Sequence, residues 1–351
     1  TCLISFTTCI SAQETQAAKP HDITIKFSKT PQGLDNYYSG IYYFCDKEIY
    51  NMRNYLMYTG NSIKTLKINP AGSSYAFLDN KKDKNTIGIY SLINKDYPLG
   101  KITTNKLFKP LAICYAPDAK SLYVLASDGK VHIYDTRKTR ELKTIDANKV
   151  ATRLDASPNG YYLIASSKNA LQVINLENQT TRTNIKLNAD FKDLAFSPNN
   201  KMLAVLTADG ACDIYDTKTF TISNHYDAMG IAEKCYFHPE NKYLAVVTGD
   251  QRIAFINLLN EADRQYLDAK EAGVKYLNFS KNVKNDIYLL YNTNKGIVYT
   301  PVGFLSPNRQ EKLKDELNSR MDEWMKRMEG DRKSTRLNSS HSAKSRMPSS
   351  A

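Results

Sequence analysis

Leu154-Asp-Ala-Ser-Pro158-Asn-Gly160, followed by the apolar run Leu163-Ile-Ala165, decides the fold because the same phrase returns along the chain. Asn69-Pro70-Ala-Gly, Ala116-Pro117-Asp-Ala, Ser197-Pro198-Asn-Asn, His238-Pro239-Glu-Asn and, without proline, Ser280-Lys281-Asn repeat it. Successive anchors lie 47, 41, 40, 41 and 42 residues apart. A period of that size signals a solenoid, a propeller or another repeat array.

The columns around each anchor identify the element. Four positions before it stand Leu66, Ile113, Leu154, Leu194, Cys235 and Leu277; two before it stand Ile68, Tyr115, Ala156, Phe196, Phe237 and Phe279. Residues between these columns are mostly polar or small, which is the period-two alternation of a strand. The tetrapeptide itself is turn chemistry, with proline fixing φ and Asn or Asp tolerating the left-handed region. A second apolar run follows each turn: Leu122–Ala126, Leu163–Ala165, Leu203–Leu206, Leu244–Val247 and, more loosely, Ile287–Tyr291. Asp128-Gly129, Asp209-Gly210 and Gly249-Asp250 then mark a tight turn. Third strands end in Tyr134-Asp135, Asn175, Tyr215-Asp216 and Asn257, and a looser fourth strand such as Glu141–Ile145 closes each unit. Four antiparallel strands in about 41 residues make one propeller blade.

These motifs resemble the WD-repeat and related YVTN or quinoprotein-like β-propeller families. The carrying residues are the proline turns at Pro117, Pro158, Pro198 and Pro239, the two Asp-Gly turns, and Tyr134-Asp135 and Tyr215-Asp216, where the family has Trp-Asp. No Gly-His dipeptide occurs, so the buried Asp-His-Ser-Trp network of standard repeats is not expected. The resemblance implies an all-β fold over residues 22–304, with a structural role for the repeated residues. At a 41-residue period that span predicts seven blades, with six or eight as alternatives. Six units are legible, which leaves the Tyr-rich Ile23–Thr59 stretch as the divergent seventh, sharing strands with the C-terminal unit. Closure is required because an open ring would leave unpaired edges.

The two ends read differently. Thr1-Cys-Leu-Ile-Ser-Phe-Thr-Thr-Cys-Ile-Ser-Ala12 is uncharged and ends in small residues before Gln13-Glu14, as the back half of an export signal would. That predicts a bacterial exported chain, periplasmic or at the cell envelope. A lipid anchor at Cys9 is the alternative, although Phe6-Thr7-Thr8 departs from the usual Leu-x-Ala/Gly. Ser306-Pro307 reads as a helix start, after which Leu313, Leu317, Met321, Trp324, Met325 and Met328 share one face. An amphipathic helix is expected over 306–330, opening a further region of the chain. Asp331–Ala351 resembles a sequencing-library adapter translated in one frame, and is expected to be non-native.

Charge and chemistry narrow the function. The chain has 351 residues and a formal charge of +12, which alone would suggest nucleic acid. Asp331–Ala351 carries five Lys/Arg and one Asp, leaving +8 on lysines scattered over loops, so no nucleic-acid partner is expected. No apolar run reaches the eighteen residues a membrane-spanning helix needs. Cys45, Cys114, Cys212 and Cys235 show no metal-ligand spacing, and free buried thiols are expected. His21, His132, His225 and His238 fall in no catalytic motif, and no GxSxG or GxxxxGK[ST] loop is present. Asp79–Asn85 has approximate calcium-loop spacing but lacks the glycine and the final acidic ligand, so an inter-strand loop is expected. No catalytic residue, metal or cofactor site is assigned. The reading is a monomeric, non-enzymatic propeller that presents loops and a central funnel to a protein or peptide. The alternatives are a propeller hydrolase or lactonase-like enzyme, and an accessory propeller of a longer enzyme.

Overall fold

A computed structural model describes residues 23–37, 40–81, 84–94, 97–104, 108–227, 230, 232–249, 252–260, 264–269, 274–281, 285–293 and 296–302. The expected leader at 1–12, the helix at 306–330 and the tail at 331–351 lie outside the described residues.

Strand β1 (Ile23–Lys26) comes first and pairs last. Blade 1 follows as β2 (Gly33–Tyr37), β3 (Gly40–Cys45), β4 (Glu48–Asn51) and β5 (Leu56–Thr59). Blade 2 is β6 (Ile63–Ile68), β7 (Ser74–Lys81), β8 (Lys84–Ser91) and β9 (Pro98–Thr103). Blade 3 is β10 (Pro110–Tyr115), β11 (Ser121–Ala126), β12 (Lys130–Asp135) and β13 (Glu141–Asp146). Blade 4 is β14 (Arg153–Ala156), β15 (Tyr162–Ser166), β16 (Ala170–Asn175) and β17 (Thr180–Lys186). Blade 5 is β18 (Phe191–Phe196), β19 (Met202–Thr207), β20 (Cys212–Asp216) and β21 (Ile222–Tyr226). Blade 6 is β22 (Lys234–Phe237), β23 (Tyr243–Val247), β24 (Arg252–Asn257) and β25 (Arg264–Asp268). Blade 7 takes β26 (Leu277–Lys281), β27 (Ile287–Thr293) and β28 (Gly296–Pro301) from the end of this run and β1 from its beginning.

The protein is therefore an all-β, seven-bladed propeller of four-stranded antiparallel sheets. Ile23–Thr59 divides as its composition suggested: one strand completes blade 7, where Ile23 pairs with Tyr299, and the rest is a whole blade. The ring closes physically as well, since Ile41 of blade 1 packs with Leu290, Ile297 and Tyr299 of blade 7.

Burial explains the sequence pattern. Second strands read iBBBBB in β11 and β19, buried on both faces because each blade is sandwiched between two others. Outer strands such as β13 and β21 are exposed almost throughout, which accounts for their loose sequence. The core is thus a series of layers between blades: Leu125, Val131 and Ile133 of blade 3 meet Leu154, Leu163 and Ala165 of blade 4. Each such buried Leu, Ile or Val side chain contributes roughly 1.5–3 kcal/mol relative to exposure. Tyr134 and Tyr215, at the position where the resembling families carry tryptophan, are both buried in these layers.

The anchor turns share one geometry. The amide of the fourth residue donates to the carbonyl of the first in Asn69–Gly72, Ala116–Ala119, Ser157–Gly160, Ser197–Asn200 and His238–Asn241. The fourth residue has positive φ each time: Gly72 at 67°, Ala119 at 63°, Gly160 at 75°, Asn200 at 58° and Asn241 at 59°. Glycine and asparagine accept that conformation readily, whereas alanine is strained in it. Ala119→Gly is accordingly expected to stabilise the fold by about 0.5–1 kcal/mol, the relief of strain exceeding the gain in unfolded-state entropy. Urea denaturation of the two proteins measures it; an unchanged or lowered midpoint would contradict the strain argument.

Asp128-Gly129 and Asp209-Gly210 close the hairpins between second and third strands, with Gly129 and Gly210 at φ 80° and 85°. Asp135 Oδ1 accepts from the amides of Arg137 (2.8 Å) and Lys138 (2.7 Å), and Asp216 Oδ1 from Lys218 (2.8 Å) and Thr219 (3.1 Å). Those amides hold both carboxyls below their ordinary pKa. The repeated aspartates cap turns. Asp79 does similar work: its carboxylate accepts from the amides of Asn61 (3.0 Å) and Ser62 (2.9 Å), tying the blade 1–blade 2 link to β7. All four described cysteines are free thiols. Among the described residues no helix is long and apolar enough to cross a membrane.

Candidate functional site

The inner strands β2, β6, β10, β14, β18, β22 and β26 surround a central cavity of about 670 Å³. Its lining follows from strand alternation. The columns four and two before each anchor turn into the blades, so the intervening positions must face the axis. Three before the anchor stand Lys67, Cys114, Asp155, Ala195, Tyr236 and Asn278; five before it stand Thr65, Ala112, Arg153, Asp193, Lys234 and Tyr276. Asp35 of β2 joins them. Register shifts at Ile63/Thr65, Pro110/Ala112 and Phe191/Asp193 bend three of these strands where the second column begins.

The channel wall has three unlike sectors. Across blades 4 to 6 runs an ionic ladder. Arg153 grips Asp155 with two parallel bonds, Nε to Oδ2 at 2.7 Å and Nη2 to Oδ1 at 3.1 Å, and its Nη1 donates to Asp193 Oδ1 of the next blade. Asp193 also receives Lys234 Nζ at 3.4 Å and the Cys235 amide at 3.1 Å. Burial works against the Arg153 charge, but the carboxylates of Asp155 and Asp193 outweigh it and raise the guanidinium above its ordinary pKa.

Across blades 6, 7 and 1 the wall's hydrogen-bond network is built from neutral groups, with Lys275 lining the cavity beside it. Tyr276 Oη donates to Asn36 Oδ1, which also receives Asn278 Nδ2 at 2.6 Å. Burial pushes the Tyr236 phenol up to about 12 and Tyr276 well above its ordinary value, so both stay protonated donors.

Across blades 1 to 3 stand Asp35, Thr65, Lys67, Ala112 and Cys114. Asp35 is tied to the backbone: Oδ1 accepts from the Asn36 amide (3.0 Å) and Oδ2 from the Ile68 amide (2.8 Å). Burial raises its pKa, with Lys67 and those amides opposing. For Lys67 burial pulls the other way, and the fields of Asp35, Cys114 and Asp155 win, leaving the ammonium firmly charged. Burial pushes the Cys114 thiol up to about 11.

None of the residues assigned from the repeat lies among these groups except Pro158, at one mouth. Pro117, Pro198 and Pro239 hold the turns beyond the inner strands; Asp128, Gly129, Asp209 and Gly210 hold the second-to-third turns; Tyr134, Asp135, Tyr215 and Asp216 lie at the far ends of third strands. The described histidines lie elsewhere too. His132 bridges Asp128 (3.0 Å) and Glu141 (3.1 Å) on blade 3, His225 pairs with Asp213 and Asp227 on blade 5, and His238 sits within its anchor turn. Sequence reading missed Lys67, Arg153, Asp155, Asp193 and Lys234, although their signal was present as charged residues between two apolar columns of inner strands.

No family model matches the chain, and no curated protein matches it.

Proposed function

We propose that this chain is a divergent WD-repeat-like propeller of the exported type, a non-enzymatic module that engages a protein or peptide at its central channel. One observation carries the reading: the scaffold columns repeat from blade to blade, while the axis-facing columns differ in every blade and converge on one cavity. A rigid frame holding an individual set of polar groups in a concave site is what selective recognition requires. The state of those groups supports binding over proton or acyl transfer. The carboxylates of Asp155 and Asp193 are engaged by fixed cations, and the channel thiol is held protonated. Export rests on the uncharged stretch Thr1–Ala12 with its small-residue end.

A photo-crosslinking amino acid at Gln32, on the channel lining, tests this against the same probe at Lys143 on the outer strand β13. Irradiated in the source cell, the Gln32 probe is expected to capture a discrete protein or peptide adduct that the Lys143 probe does not. Equal capture at both positions, or none at Gln32, would count against a channel-centred binding role.

A further inference from the structure

We propose that the channel holds one carboxylate of its ligand, from an acidic side chain or a free chain terminus, against the ammonium of Lys67. The proposal rests on the peptide-binding reading and gives it a chemical class.

Lys67 differs from the other cations of the wall. Arg153 and Lys234 both end on Asp193, and Arg153 on Asp155 as well. Lys67 makes no ion pair or side-chain hydrogen bond among the described residues. Its two carboxylate neighbours bond elsewhere: the oxygens of Asp155 accept from Arg153 and those of Asp35 from backbone amides, and neither forms an ion pair with Lys67. A charged, hydrogen-bond-donating ammonium deep in a protein channel is costly unless an acceptor reaches it. In the axis-facing columns beside Lys67 the next blade presents the small side chains Ala112 and Cys114, neither of which carries a charged partner for the ammonium.

The charge balance fixes the class further. The lining carries Lys67, Arg153, Lys234 and Lys275 against Asp35, Asp155 and Asp193, a surplus of one positive charge. One carboxylate neutralises it. A phosphate dianion would overshoot it and face three carboxylates, at a repulsive cost. The cavity, about 670 Å³, is in the range that encloses a short peptide segment or a small organic acid.

Four synthetic pentapeptides of one backbone separate the sources: a central Glu with an amidated end, a central Gln with a free C-terminal carboxylate, a central Gln amidated, and a central phosphoserine amidated. All are N-acetylated and titrated calorimetrically into the full chain and into Lys67→Met and Lys67→Arg. The expected result is binding of one or both carboxylate peptides at least tenfold tighter than the neutral and phosphoserine peptides. Lys67→Met should abolish that tenfold preference, and Lys67→Arg should keep it, with thermal unfolding confirming that both variants fold. The preference surviving in Lys67→Met, phosphoserine binding best, or no carboxylate peptide exceeding the neutral one each overturns the proposal. If Lys67→Met fails to fold, the peptide ranking on the unaltered chain and on Lys67→Arg decides it. The outcomes stay separable from the broader reading, because neutral peptides binding equally well, or a Gln32 crosslink without carboxylate preference, leaves peptide recognition intact while removing Lys67 as its anchor.

Discussion

Arg153→Met is expected to destabilise the propeller by about 3 kcal/mol, because it strands two carboxylates at once. Asp193, 6% exposed, would keep only Lys234 at 3.4 Å and the Cys235 amide, and Asp155 would lose both of its donors. The figure sits at the low end for broken buried pairs because a third of the Arg153 side chain is exposed. Asp193→Asn should cost less, about 1–2 kcal/mol, since the amide oxygen can still accept from Cys235 and Arg153 retains its fork on Asp155. The double variant should be less unstable than the sum of the two, as no buried charge is then left at position 193. Lysine at position 153 should not rescue, because one ammonium cannot fork onto Asp155 while reaching Asp193. Urea unfolding of the parent and the four variants measures the set; strict additivity would show that the ladder is a string of independent contacts.

Acid should weaken the fold through His238 in a window of its own. The imidazole replaces the serine of the anchor turn: its Nδ1 accepts from the Glu240 amide at 3.2 Å, as Ser157 and Ser197 Oγ accept from Tyr162 and Met202. Its Nε2 is buried with no polar partner among the described residues, and the rings of Tyr243 and Phe279 stand nearly perpendicular to it at 6.1 and 5.2 Å. Burial holds its pKa at about 4, below the ordinary 6.5. The unfolded chain therefore takes up the proton first as pH falls. Stability is full above pH 6.5, declines towards pH 4 by roughly 2–3 kcal/mol, and gains no further slope from this group below that. The turn-capping carboxyls of Asp135 and Asp216, with lowered pKa values, lose their contribution only at lower pH, below the ordinary 3.8. His238→Ser should flatten the decline between pH 6.5 and 4 while leaving the more acidic limb in place. An unchanged profile between those pH values would show that the imidazole titrates normally.

The fold was legible because burial between blades imposes the same apolar columns on every unit, and a column repeated six times stands out from noise. Leu66, Ile113, Leu154, Leu194, Cys235 and Leu277 do one job, so they look alike. Blade 1 escaped because β2 and β3 are joined by only two residues, too few for the proline tetrapeptide on which the alignment rests. The channel was illegible for the opposite reason. Lys67, Cys114, Asp155, Ala195, Tyr236 and Asn278 occupy one structural column and share no chemistry. Arg153 and Asp193 meet through ring curvature at a separation of one repeat, a distance at which sequence shows no local pairing. Acids and histidines taken along the chain therefore form no cluster, whereas folding the chain at its own period gathers Asp155 and Asp193 with Lys67, Arg153 and Lys234 onto one axis.

The pairing of β1 with β28 sets a timetable for biosynthesis. The first described strand to emerge has no partner until the last one is made, so blade 7 is the one unit that cannot assemble as the chain lengthens. Blades 1 to 6 are each continuous in sequence and can form hairpin by hairpin, with low local contact order. Until Gly296–Pro301 is released, β27 lacks β28 on its outer side and β1 has no strand to join, so the nascent ring exposes strand edges open to misassembly with a neighbouring chain. Release of β28, more than any single blade, then gates closure of the ring.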